Sequence, residues 1–137
     1  MSEADFTDCF VAQSGDFAVF AYPELLDGAE TANELWAYCL RVENNSNKKI
    51  KLLKRDFCIT DCFGQNFFDS GCGFHGELPD LEPGEYFDFE DTAIIRGKAA
   101  VLYGSCLAED EEGKCFKIKL PIMQLNSTLS ASDHNLH

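Results

Sequence analysis

Leu35-Trp36-Ala37-Tyr38-Cys39-Leu40-Arg41-Val42-Glu43 is the stretch that decides the fold. Trp36, Tyr38, Leu40 and Val42 occupy every second position. A strand sends successive side chains to opposite faces, so these four enter one core. Upstream, residues 16–22 interleave Phe17, Val19 and Ala21 with Ala18, Phe20 and Tyr22, a strand buried on much of both faces, before a polar loop over 23–32. Downstream, Asn44-Asn45-Ser46-Asn47 is a turn cluster. Residues 49–54 return as a strand with Ile50 and Leu52 inward and Lys49 and Lys51 outward, and 57–61 supply another with Phe57 and Ile59 inward.

The period of two continues. Phe63-Gly64-Gln65-Asn66 turns the chain into a short edge at Phe67-Phe68, and Pro83-Gly84 marks a further turn. Residues 86–91 set Phe87 and Phe89 against Tyr86, Asp88 and Glu90. Residues 99–108 and 114–120 form a hairpin around the acidic link 109–113. No stretch sustains a helical period with caps. Seven or eight short strands predict an all-β sandwich or barrel, and their shortness favours the sandwich.

The 137 residues suit one domain, expected over 6–125 with flexible ends at 1–5 and 126–137. Hydrophobic residues are 45% of the chain and Phe alone numbers 12, enough for a core without staples. No apolar run approaches the roughly 18 residues of a membrane helix. Met1-Ser2-Glu3-Ala4-Asp5 lacks the charged and apolar regions of a secretory signal, which places the chain in the cytoplasm. Its seven cysteines, an odd number, then read as reduced thiols.

The net charge is −13, unevenly spread. Residues 1–44 hold nine acids and one base, 45–60 five bases and one acid, and 61–113 thirteen acids and two bases. Such a field repels nucleic acid and anionic membranes. The basic strip offers Lys49, Lys51 and Arg55 to an acidic partner, although lysines on a strand also guard its edge against aggregation.

Gly71-x-Gly73-x-x-Gly76 has the spacing of a dinucleotide loop, but Pro79 and Pro83-Gly84 follow where a helix would have to run. What remains is a permissive loop whose N–H groups can form an anion nest, with Gly71, Gly73, His75 and Gly76 as its members, or a plain crossing between sheets. Cys58, Cys62, Cys72 and His75 have ligand chemistry for zinc. However, Cys58 and Cys62 on one strand would stand about 13 Å apart, against ligand bonds of about 2.3 Å. No metal site or cofactor is therefore expected. Asp88, Glu90 and Asp91, and the run 109–112, lack the alternate spacing of a calcium loop and read as solvated charge. A Cys72–His75 nucleophile pair is possible in sequence, with nothing to show a lowered thiol pKa. The chain reads as a non-enzymatic binding module, with phosphate, pyrophosphate or nucleotide binding at 71–76 as the alternative.

Tyr38-x-Leu40-x-Val42-x-Asn44, Lys51-Leu52-Leu53-x-Arg55 and Ile59-Thr60-Asp61-x-x-Gly64 occur in order. Gly71-x-Gly73-x-x-Gly76-x-x-Pro79-x-Leu81-x-Pro83-Gly84-Glu85 comes next, then Tyr103-Gly104, Gly113-x-x-Phe116 and Leu120-Pro121-x-x-x-Leu125. In order and spacing this resembles the ApaG domain over about residues 17–125. The resemblance implies an immunoglobulin or fibronectin type III-like β-sandwich of two antiparallel sheets. It implies bacterial relatives linked genetically to cobalt resistance and magnesium efflux, without established catalysis. It also implies a protein-binding role like that of the same domain in some F-box and polymerase-interacting proteins, and phosphate contact at Gly71, Gly73 and Gly76. Asp56-Phe57 stands where relatives commonly carry a His-Trp-type pair, and Phe74-His75 where aliphatic residues are usual.

Overall fold

The computed structural model describes residues 9–28 and 33–126. Its strands are β1 (Phe10–Ser14), β2 (Phe17–Asp27), β3 (Asn33–Asn44), β4 (Ile50–Asp61), β5 (Asn66–Cys72), β6 (Asp80–Leu81), β7 (Tyr86–Arg96), β8 (Ala99–Asp110), β9 (Cys115–Lys119) and β10 (Met123–Asn126). They form two antiparallel sheets. The four-stranded sheet runs β1-β2-β3-β7. In the six-stranded sheet the order is β10-β8-β4-β5, with β9 also on β8 and β6 also on β4. Among the described residues none is helical, and none lies in a helix long and apolar enough to cross a membrane. The expected end at 1–5 lies outside the described residues, as does all of 126–137 except Asn126, which pairs with Ala99 at the end of β10.

The alternation places the core as read. Trp36, Tyr38, Leu40 and Val42 are all buried between the sheets, as are Ile50, Leu52, Phe57 and Ile59 of β4. Yet β4 is one strand where the sequence suggested two. Leu52 pairs with Ala108 and Lys54 with Leu107, so Leu53 is an extra residue, a β-bulge. That insertion turns the even-numbered inward set of Ile50 and Leu52 into the odd-numbered set of Phe57 and Ile59.

Other boundaries also differ. β2 runs through Pro23 to Asp27, where a loop was expected. A proline has no N–H for a ladder, and β1 pairs with β2 only as far as Ala21 among the described residues, so Pro23 sits on a half-open edge. β5 continues past Phe67-Phe68 to Cys72, which makes Gly71 part of a strand rather than a loop, and β7 continues to Arg96.

Asn44 is fully buried and locks two turns together. Its Nδ2 donates to the carbonyls of Lys48 (2.8 Å) and Leu81 (3.0 Å), and its Oδ1 accepts from the Ser46 N–H (3.0 Å). Its backbone N–H donates to Glu85 and its carbonyl accepts from Gly84. Every polar atom of this buried amide is thus used, which is what makes its burial tolerable.

Gly104 lies opposite Phe57 on the neighbouring strand, with φ +142°. A Cβ built there would stand 2.1 Å from the Asp56 carbonyl oxygen and 2.9 Å from Phe57 Cα. β4 and β8 approach so closely that only glycine fits. Gly104→Ala is expected to destabilise the domain by about 3 kcal/mol, at the upper end for overpacking. A urea midpoint close to that of the unmodified chain would show that the two strands can separate at no cost.

Candidate functional site

The glycine-rich segment begins where β5 ends, beside the bulge of β4. Gly73 N–H donates to the carbonyl of Leu53, the bulge residue (2.7 Å), and Phe74 N–H donates to Glu77 (2.8 Å). Gly73 has φ +73°, and a Cβ there would meet the Glu77 carbonyl at 2.7 Å, so the tight turn requires glycine. His75, at φ +53°, is the one non-glycine residue in the left-handed region among the described residues.

This geometry turns Phe74 inward. Phe74 is buried, edge-on to Phe87 (5.7 Å) and Phe89 (5.4 Å) of the opposite sheet. His75 stacks on the Phe89 ring at 4.7 Å. Its Nε2 stands 2.9 Å from the Glu90 carbonyl, which can only accept, so this nitrogen carries the hydrogen. The segment plugs the sandwich between β5 and β7. Two of its amides, at Gly73 and Phe74, are spent on carbonyls.

Next to the plug lies a polar network that crosses the interior. Arg55, inward-facing after the bulge, donates from Nε to Asp69 Oδ1 (2.9 Å) and from Nη1 to the Gly73 carbonyl (2.7 Å). Tyr38, from the other sheet, donates its hydroxyl to Asp69 Oδ2 at 2.5 Å. The side chains of Arg55 and Asp69 are 20% and 13% exposed, and Tyr38 is fully buried. Burial first, and the hydrogen bond to Asp69 second, push the Tyr38 hydroxyl far above its ordinary pKa, so it stays a donor. Asp69 escaped the sequence reading, which ended the strand at Phe68. Its position gave no signal: residues 67, 69 and 71 share a face, but Phe67 on that face is exposed.

The remaining expected residues are dispersed. Lys49 and Lys51 line a surface cleft of about 410 Å³ with Asp80, Glu109, Asp110 and Glu111, and Lys51 pairs with Asp80 at 3.4 Å. Arg55 and Gly71 border a different cleft, of about 490 Å³, with Lys54, Ser70, Ser105 and Lys117. The three expected bases therefore do not act together. Cys58, Cys62, Cys72 and His75 do not converge either: Cys72 is in register with Lys54, about 13 Å of strand from Cys58, and His75 lies on Phe89. Among the described residues no group of three or more His, Cys, Asp or Glu is arranged to hold a metal. None of the seven cysteines is in a disulfide. Burial raises the Cys106 thiol to about 12 and raises Cys39 as well.

Two antiparallel sheets closed by a glycine-turned aromatic plug, with an Arg-Asp-Tyr tie between them, define a β-sandwich. The family model for the ApaG domain matches residues 27–110. Protein ApaG of Paramagnetospirillum magneticum is 30% identical over 115 residues, which cover 82% of this chain and 88% of that protein. The chain belongs to the ApaG domain family. Its fold is similar to two solved structures, each at TM-score 0.77 and 22% identity. One is an X-ray structure of a structural genomics target, covering 84% of this chain and 89% of that one. The other is a putative ApaA protein from Bordetella pertussis, covering 81% and 93%.

The network yields a graded expectation. Asp69→Asn leaves a mostly covered guanidinium without its counter-charge and should cost about 2 kcal/mol, below the roughly 3–5 kcal/mol of a fully buried pair. Tyr38→Phe removes one hydrogen bond and should cost about 1 kcal/mol. Equal urea midpoints for Asp69→Asn and the parent would show that the tie contributes nothing to stability.

Proposed function

We propose that this ApaG-domain chain is a non-enzymatic module of the cytoplasm that docks a protein partner, in a pathway touching cobalt and magnesium homeostasis. The cation link rests on kinship with the ApaG family. The observation that carries the docking role is the free edge of the six-stranded sheet. Among the described residues no strand pairs with the outer side of β5. Phe67 and Phe68 are exposed on it, and it carries no lysine or proline of the kind that deters strand pairing. Its one charged residue, Asp69, is turned inward and held. An extended segment can add itself to such an edge through main-chain hydrogen bonds.

The ionisable groups fit a role without catalysis. Burial keeps the Cys106 and Cys39 thiols protonated, the reverse of an activated nucleophile. The His75 ring is engaged on both its face and its edge. Phosphate or nucleotide binding at Gly71, Gly73, His75 and Gly76 has less support, because the Gly73 and Phe74 amides already have partners.

In a pull-down from native lysate, the unmodified chain should retain a specific protein that Phe67→Lys/Phe68→Lys does not. Repeated failure to recover any specific protein would sink the reading.

A further inference from the structure

The chain carries 24 acids and 11 bases, so a surface that gathers several lysines stands out on it. Arg41, Lys48, Lys51, Arg55 and Lys98 each sit in an ion pair. Arg96 lies over the Phe63 ring. Among the described residues Lys49, Lys54, Lys114, Lys117 and Lys119 are in none of these contacts, and the ladder gathers Lys54, Lys117 and Lys119 on one surface. Cys106 and Ala108 are buried, so their neighbours Ser105 and Leu107 point outward. Lys54, Leu107 and Lys117 form one outward row across β4, β8 and β9, and Asp56, Ser105 and Lys119 form the next. A third outward row crosses β5, β4 and β8 at Phe68, Cys58 and Tyr103. Phe68 is 66% exposed and Tyr103 41%. The outer face of the six-stranded sheet is therefore basic at one end and aromatic toward the other.

We propose that this face binds an extended peptide segment of a partner protein, with an acidic residue against Lys54 and Lys117 and an aromatic or large apolar residue against Phe68 and Tyr103. The proposal rests on the reading of the chain as a protein-docking module and names the partner's chemistry. The two ends lie four residues apart along β4, about 13 Å, so the segment's acidic and aromatic residues should be four positions apart in either order. In an extended chain those two side chains share a face.

The arrangement argues against other occupants. Lys54 and Lys117 are two strands apart, about 10 Å of backbone, a spread that suits a strand of charges rather than one small anion. Asp56 lies next to Lys54 on β4, in the same row as Lys119, and accepts from Ser70 Oγ at 3.0 Å. A peptide offers it further N–H donors, whereas a nucleic acid backbone brings only negative oxygens. A second copy of the chain would bring another net charge of −13.

The test is a random octapeptide display selection on the full chain, run beside Lys54→Glu/Lys117→Glu, whose exposed substitutions should leave the urea midpoint unchanged. The unmodified chain should enrich Asp or Glu four positions from an aromatic or large apolar residue. The leading synthetic peptide should bind the double variant roughly tenfold more weakly, from two lost charge contacts that become repulsive, and lose affinity for Phe68→Ser. Enriched peptides without an acid, or equal binding to the double variant, would overturn this face while leaving the docking role standing. No enrichment at all would count against both. Tighter binding of oligouridylate, or a dimer in sedimentation that the double variant abolishes, would replace the peptide by those occupants.

Discussion

One extra residue governs the architecture. Leu53 is inserted in β4 without a partner in β8, and every side chain after it changes face. Ile50 and Leu52 fill the core before it, Phe57 and Ile59 after it, and Arg55 is brought inward where an unbroken strand would have pointed it to solvent. The bulge also divides the free side of β4, with β6 pairing before it and β5 after it. The chain linking these two strands leaves at that break, tied by Gly73 N–H to the Leu53 carbonyl. The plug formed by Phe74, the inward turn of Arg55 and the outward display of Lys54 thus follow from a single local irregularity.

The same irregularity explains what could be read in the sequence and what could not. The face carrying Trp36, Tyr38, Leu40 and Val42 was legible because every even position of β3 from 34 to 44 is buried, with no bulge in the strand to change the face. So were Phe116, Ile118 and Leu120, and the hairpin joining β8 to β9. In β4 the inward residues change from even to odd positions, so one strand looked like two. Pro23 suggested a loop because a proline weakens a strand in isolation, and only the half-open edge of β2 makes it acceptable. Asp69 was invisible for a related reason. A carboxylate in a run of polar residues looks solvated until Tyr38, thirty-one positions away, proves to share its interior. Long-range pairing of this kind leaves no local pattern.

A charged pair inside a sandwich is not an obvious stabiliser, since removing both ions from water costs several kcal/mol each unless hydrogen bonds replace the solvent. Here they largely do. Asp69 accepts from Arg55 and Tyr38, and Arg55 also reaches the Gly73 carbonyl. The tie joins three elements that apolar packing alone would leave free to slide: the edge strand β5, the opposite strand β3 and the turn that carries Phe74. Its contribution is to specify which edge meets which loop. The glycines at 71 and 73 belong to this construction, one opposite Arg55 in the ladder and one supplying the carbonyl that Arg55 holds.

The distribution of charge then separates the scaffold from the surface that remains available. Arg41 and Lys51 are neutralised by acids on neighbouring strands, and Lys48 by the hairpin tip. Exposed pairs of this kind add little stability, but they do remove positive charge from most of the molecule. Of the lysines outside such pairs, Lys54, Lys117 and Lys119 share the outer face of the six-stranded sheet, next to its aromatic row and its open edge. Within the roughly 8 Å over which charges interact at physiological salt, an approaching chain responds to that face rather than to the net charge. A strongly acidic protein can therefore present a local basic surface, and the residue that flips β4 places Lys54 on it.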